Sequence, residues 1–167
     1  TVASLIEKDL KDLTVFVLDK PRHRGLVEEI HEAGARVTLY PAGDVAGAIM
    51  AAIPDTEVDV LMGTGGTPEG IISACAIRAM GGEFQGRINP QLATEIVSVR
   101  NAGFDTERWY ERDELIGSDD VHFCATGITS GLLFRGVKLT KHHFKTETLI
   151  VTGASKEQVS LTNWHNR

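Results

Sequence analysis

The sequence predicts an α/β fold: a three-layer sandwich built on a parallel βαβαβα core, with an antiparallel β extension toward the C-terminus. Three observations carry that prediction. Strand-like and helix-like segments alternate from the N-terminus to Gly82, joined by connections of about two to six residues, as right-handed crossovers in a parallel sheet require. The run LTVFVL at 13–18 is apolar at nearly every position, which suits a strand covered on both faces. Beyond residue 120 the β-rich segments follow one another without helices between them, which suits antiparallel pairing.

Each element has its own local reason. After the strand at 13–18, Leu26, Ile30 and Ala33 recur at i, i+4 and i+7 between Glu28, Glu29 and Glu32, so 24–35 reads as an amphipathic helix ended at Gly34. Residues 36–40 form the second strand. Asp44 stands where a helix N-cap belongs, ahead of a helix over 45–53 that Pro54 stops. The third strand is 58–62. Thr67 then acts as a cap with Pro68 at the first helical position, opening a helix to Gly81-Gly82 whose apolar residues on nearly all sides predict burial. Helices are expected at 92–101 and 113–116, and β segments at 121–125, 132–139, 147–152 and 158–162.

Length and charge bound the function classes. With 167 residues, 42% of them hydrophobic and only five prolines, the chain fits a single domain with a core of its own; disorder, collagen and small disulfide scaffolds are excluded. Its 17 Lys and Arg against 23 Asp and Glu leave a net charge of −6, which disfavours nucleic acid as a partner. Any anionic ligand must therefore be met by basic residues gathered locally. The two cysteines, Cys75 and Cys124, lie in apolar runs without C-x-x-C spacing and read as core thiols in a reducing cytoplasm. No stretch is long and apolar enough for a membrane span, and no signal peptide is visible. Thr1 reads as lying within a helix, so a processed chain or a piece of something longer is expected.

Ligands of open α/β sheets bind beyond the carboxyl ends of the strands, where helix N-termini present backbone N–H groups. Three loops occupy that edge. The first, Asp19-Lys20-Pro21-Arg22-His23, sets two cations around a stiffening proline; it suits phosphate, or is a solvated basic turn with His23 at the surface. In the second, Pro41-Ala42-Gly43-Asp44, the carboxylate caps a helix, binds sugar hydroxyls, or does both. The third, residues 63–70 (GTGGTPEG), removes side chains at Gly63, Gly65 and Gly66 just before a helix N-terminus. It is neither a G-x-G-x-x-G fingerprint nor a Walker A loop. Glu69 either complements the helix dipole or offers a hard cation a carboxylate ligand. No G-x-S-x-G or H-E-x-x-H motif occurs, His142-His143 reads as an exposed loop, and Ala125-Thr126-Gly127-Ile128-Thr129 as a strand ending in a turn.

The runs LDKPRH (18–23), EIHEAGARVTLYPAGDVAGAI (29–49), VDVLMGTGGTPEGIISACAIRAMGGEFQGRINP (58–90) and CATGIT (124–129) closely resemble the class II, GlpX-type fructose-1,6-bisphosphatases. The resemblance implies a cytoplasmic, Mg²⁺- or Mn²⁺-dependent phosphatase of gluconeogenesis and glycerol metabolism that removes the 1-phosphate of fructose 1,6-bisphosphate. Some members also accept sedoheptulose 1,7-bisphosphate. By motif, Lys20, Pro21, Arg22, Gly43, Asp44 and Gly66 would contact the phosphorylated sugar and Glu69 would ligate metal. The catalytic residues are not assigned. Where the family has D-G-D, this chain has Ala42, so one sugar contact is missing. The family chain is also about twice this length, and its first half carries most of the metal-binding carboxylates. The expectation is a substrate-binding C-terminal half, inactive alone and homo-oligomeric when complete. A non-catalytic phosphosugar-binding module and a purely structural half are the competing readings.

Overall fold

The apolar run at 13–18 becomes the middle strand of the parallel sheet. The structure, a computed structural model, describes residues 2–167, so the helical reading of Thr1 lies outside the described residues. Helix α1 (Val2–Leu5) and a 3-10 turn (Leu10–Asp12) lead into β1 (Thr14–Leu18). A second 3-10 turn (Pro21–His23) precedes α2 (Arg24–Glu32), β2 (Arg36–Tyr40), α3 (Asp44–Ala52), β3 (Val60–Leu61) and α4 (Thr67–Met80). The strand order is β2-β1-β3, all parallel, with Val15 opposite both Val37 and Val60.

Alternation along β1 feeds two cores. Val15 and Val17 pack with Ile30, Leu26 and Val27 on one face. Phe16 and Leu18 pack with Met50 and Ala51 of α3 on the other. Phe16 is fully buried and stacks on Tyr40, ring centroids 4.4 Å apart. Burying such a side chain contributes about 1.5–3 kcal/mol, so this strand anchors the domain more than its length suggests. Gly47 lets α3 approach: a Cβ there would lie 2.7 Å from the Phe16 ring.

The remaining elements are β4 (Gln85–Gly86), α5 (Ala93–Asn101), β5 (Tyr110–Glu111), α6 (Arg112–Leu115), β6 (His122–Thr126), β7 (Lys138–Leu139), β8 (His143–Thr152) and β9 (Glu157–Asn166). Strand β8 pairs antiparallel with β6, β7 and β9. This sheet covers the side of α3 and α4 that faces away from the parallel sheet, through Phe123, Leu149 and Val151 against Ile49, Ala76 and Ala79. The α/β sandwich with an antiparallel extension is thus the observed architecture. No helix of the described residues is long and apolar enough to cross a membrane.

Several local expectations are corrected. Gly43, at φ +102°, takes the N-cap position of α3, and Asp44 is its first helical residue. Likewise Gly66 caps α4, which shifts Thr67 and Pro68 one position inward. Helix α2 ends at Glu32, because Gly34 has already turned to φ +92°. Only Val60 and Leu61 of the third strand are ladder-paired. The 132–139 segment is a loop until Lys138, while β8 starts at His143 and β9 runs on to Asn166. His143 is therefore a half-buried strand residue, edge-on to Trp164. Cys75 is half-buried and Cys124 exposed: the period of two that turns Phe123 inward turns Cys124 outward. In α4 the small residues are buried, but Ile71 and Ile72 face solvent.

Candidate functional site

Helix α2, which follows β1, packs on one face of the parallel sheet, while α4, which follows β3, packs with α3 on the other side, so the chain leaves β1 and β3 in opposite directions. The crevice between those two strand ends is the topological switch point, where open sheets receive ligands. There the first and third loops are tied together. The Arg22 Nε–H donates to the Thr64 carbonyl at 2.8 Å, and the Thr64 N–H donates to His23 Nε2 at 2.9 Å. Asn89 Nδ2 reaches the Thr64 hydroxyl at 3.3 Å. Arg22 itself stays exposed, so its terminal guanidinium nitrogens face solvent at the rim.

The second loop joins from the other side. Asp44 Oδ1 accepts the Val45 N–H at 3.0 Å, and Oδ2 approaches Gly65, where a Cβ would stand 3.0 Å from it. Position 43 lies beside Leu132, 3.7 Å from where a Cβ would be, so the loop after β6 also borders the rim. Glu147 steadies that loop by accepting the Arg135 N–H at 3.1 Å. This backbone bond, helped by the Lys145 ammonium, holds the Glu147 carboxyl below the usual carboxylate range against the opposing effect of burial.

Glu69 folds back over the N-terminus of α4. An ideal Cβ at Gly66 would sit 2.1 Å from its Oε2, so the carboxylate fills the space a side chain at 66 would need. Gly66 has φ −69°, which any residue tolerates; the glycine serves close approach, not an unusual turn. Lys20 is half-buried, its carbonyl accepting the His23 N–H at 2.9 Å, while Pro21 opens the 3-10 turn. The structure thus places Lys20, Pro21, Arg22, Gly43, Asp44, Gly66 and Glu69 along one edge, linked through the glycine loop.

Sequence reasoning missed His23, Thr64 and Asn89. His23 is not at the surface but only 3% exposed, because the 3-10 turn at 21–23 swings its ring back under the loop. The signal was present: Gly63 precedes Thr64, and a Cβ at 63 would meet the imidazole at 3.2 Å. Among the described residues no three His, Cys, Asp or Glu side chains form a metal-holding cluster. Glu69 offers one carboxylate, and among the described residues no further His, Cys, Asp or Glu side chains join it in such a cluster.

Fold and rim define an α/β protein with a glycine-lined edge at the switch point, where Lys20 and Arg22 stand with Asp44 and Glu69. A family model described as bacterial fructose-1,6-bisphosphatase, glpX-encoded, matches residues 1–165, and the chain belongs to that family. It is 40% identical over 177 residues to the fructose-1,6-bisphosphatase class 2 of Haemophilus influenzae, covering 98% of this chain and 53% of that protein. It is 38% identical to the D-fructose 1,6-bisphosphatase class 2/sedoheptulose 1,7-bisphosphatase 1 of Acaryochloris marina, covering 93% of this chain and 49% of that one. The similarly named protein of Synechococcus elongatus is 37% identical, with the same coverage of 93% and 49%. The chain spans about half the length of the curated relatives it matches.

Proposed function

We propose that this chain is the substrate-binding half of a metal-dependent phosphatase that hydrolyses the 1-phosphate of fructose 1,6-bisphosphate to fructose 6-phosphate. The observation that carries the reading is the convergence of Arg22, Asp44 and Glu69 on one glycine loop, from three separate crossovers. Lys20 and Arg22 hold phosphate, Pro21 limits the freedom they lose on binding, and Asp44 accepts from sugar hydroxyls. Gly43 and Gly66 keep the backbone open for the ligand. A divalent cation, Mg²⁺ or Mn²⁺, would neutralise charge on the phosphoryl oxygens, with Glu69 as one of its ligands. The other ligands come from the substrate and from residues beyond this chain, so the chain by itself is inactive. The assembled enzyme works in the cytoplasm as a homo-oligomer, in gluconeogenesis and glycerol metabolism.

Calorimetric titration with fructose 1,6-bisphosphate, in Mn²⁺ and in EDTA, tests this reading alongside a phosphate-release assay. Binding that tightens with Mn²⁺, without turnover, is expected. Equal binding in EDTA would point instead to a non-catalytic phosphosugar module, and absent binding would leave a structural half. Sedoheptulose 1,7-bisphosphate is the second substrate to test. Ala42 removes a polar group from the sugar side of the rim, and two relatives are named as bisphosphatases for both sugars.

A further inference from the structure

The buried imidazole under the rim takes no part in the reading above, yet every polar atom of its ring is engaged. His23 Nδ1 lies 2.8 Å from the Leu18 carbonyl at the end of β1. A carbonyl only accepts, so Nδ1 carries a proton. His23 Nε2 lies 2.9 Å from the Thr64 nitrogen and 3.1 Å from the Thr64 oxygen. That oxygen already accepts from Arg22 Nε at 2.8 Å, whereas the Thr64 N–H has the ring as its acceptor. A neutral ring protonated on Nδ1 satisfies all three groups at once, and the opposite tautomer would set a lone pair against the Leu18 carbonyl.

We propose that His23, as the neutral Nδ1–H tautomer, is a positioning residue that clasps the glycine loop to the end of β1 through the Thr64 N–H. The clasp leaves the Thr64 carbonyl free to orient Arg22, and Gly63 is side-chain-free because the ring occupies that space. Two residues of the rim, Arg22 and Gly66, are thereby held in one register across a loop that has no strand pairing of its own. The consequence for ligand affinity rests on the phosphosugar reading; the clasp itself rests on the hydrogen bonds.

Nitrogen-15 NMR of the whole 167-residue chain tests it. The imidazole of the unmodified chain should show a protonated Nδ1 and a bare Nε2 near neutral pH. His23→Asn keeps a donor toward Leu18 but loses the acceptor toward Thr64, while His23→Gln places an acceptor near the Nε2 position. Loss of one such hydrogen bond should speed Thr64 amide exchange about 10-fold in His23→Asn, and His23→Gln should recover most of it. Affinity for fructose 1,6-bisphosphate should follow the same order. A proton on Nε2 in the unmodified chain, or Thr64 exchange unmoved in a folded His23→Asn, overturns the clasp. Faster exchange with unaltered affinity overturns its role in the rim. If His23→Asn does not fold, the tautomer of the unmodified chain and the exchange rate in His23→Gln decide. Failure of the unmodified chain to bind the sugar phosphate would instead remove the substrate reading, with the tautomer and exchange data still deciding the clasp.

Discussion

Gly66→Ala separates function from stability at a single methyl group. At φ −69° and ψ 146° the backbone accepts alanine without strain, and such a replacement stabilises a protein by about 0.4–1 kcal/mol through the unfolded chain. The new Cβ would stand 2.1 Å from Glu69 Oε2, so that carboxylate must retreat by about 1 Å or rotate away. Glu69 is exposed, and turning a flexible solvated side chain costs only about 0.5–1 kcal/mol. The two contributions nearly cancel, so the urea midpoint should move little. Displacing a ligating carboxylate from its place should, in contrast, weaken Mn²⁺-linked binding of fructose 1,6-bisphosphate by about 10-fold or more. Urea unfolding and calorimetric titration of the same protein supply both numbers. Unchanged Mn²⁺-linked affinity would falsify the assignment of Glu69, and a loss of several kcal/mol in stability would show that Gly66 serves packing instead.

Three further outcomes follow from other contacts. Gly47→Ala puts its Cβ 2.7 Å from the fully buried Phe16 ring, so urea unfolding should report a loss of about 1–3 kcal/mol with no specific effect on ligand affinity. In Asp59, burial raises the carboxyl but is outweighed by the Lys8 ammonium at 2.6 Å and the Thr14 N–H at 2.9 Å, so its folded value lies below its unfolded one. That stability is present above the unfolded value of about 3.9 and is lost as pH falls through the lower folded value; melting from pH 5 downward should lose this component, and Asp59→Asn should remove its pH dependence. Cys124 is exposed and Cys75 half-buried, so a thiol reagent should modify Cys124 first in the native chain, as peptide mapping will show; equal rates contradict the outward register of β6.

What the sequence made legible was whatever local spacing encodes. The apolar run at 13–18, the Glu-interrupted period of α2 and the proline in the first turn of α4 each report a contact within one segment, and each element formed near its expected bounds. The three loops were legible for the same reason, since alternation of strand and helix fixes the edge on which they emerge. Their mutual contacts were not legible. Thr64 meets His23 and Arg22 across 41 and 42 residues of chain, and no periodicity reports so distant a hydrogen bond. The caps failed by one residue for a different reason: Asp44 and Thr67 have the right chemistry, but Gly43, through its left-handed turn, and Gly66, through the close approach of Glu69, take the cap positions and leave both residues inside the helix. Even so, Asp44 remains turned toward the rim, because as a first-turn residue it uses one oxygen locally and keeps the other for Gly65.

That one-residue shift bears on how the rim works. Had Asp44 been the cap, its carboxylate would have reached N–H groups further into the first turn of α3. With glycine as the cap, Oδ1 takes only the Val45 N–H and Oδ2 is left on the rim beside Gly65, where the proposed reading has it meet sugar hydroxyls. At α4 Gly66 caps likewise, and the Glu69 carboxylate folds back beside it at the helix N-terminus. Both helices therefore present the same pairing of backbone donors and a nearby carboxylate, an arrangement that suits a ligand carrying anionic phosphate and neutral hydroxyls together. Replacing Gly43 by aspartate at its φ of +102° would strain the turn and satisfy the donors internally. It should lower affinity for fructose 1,6-bisphosphate more than for a sugar without phosphate, and calorimetry with both ligands would show whether the cap donors are the phosphate's partners.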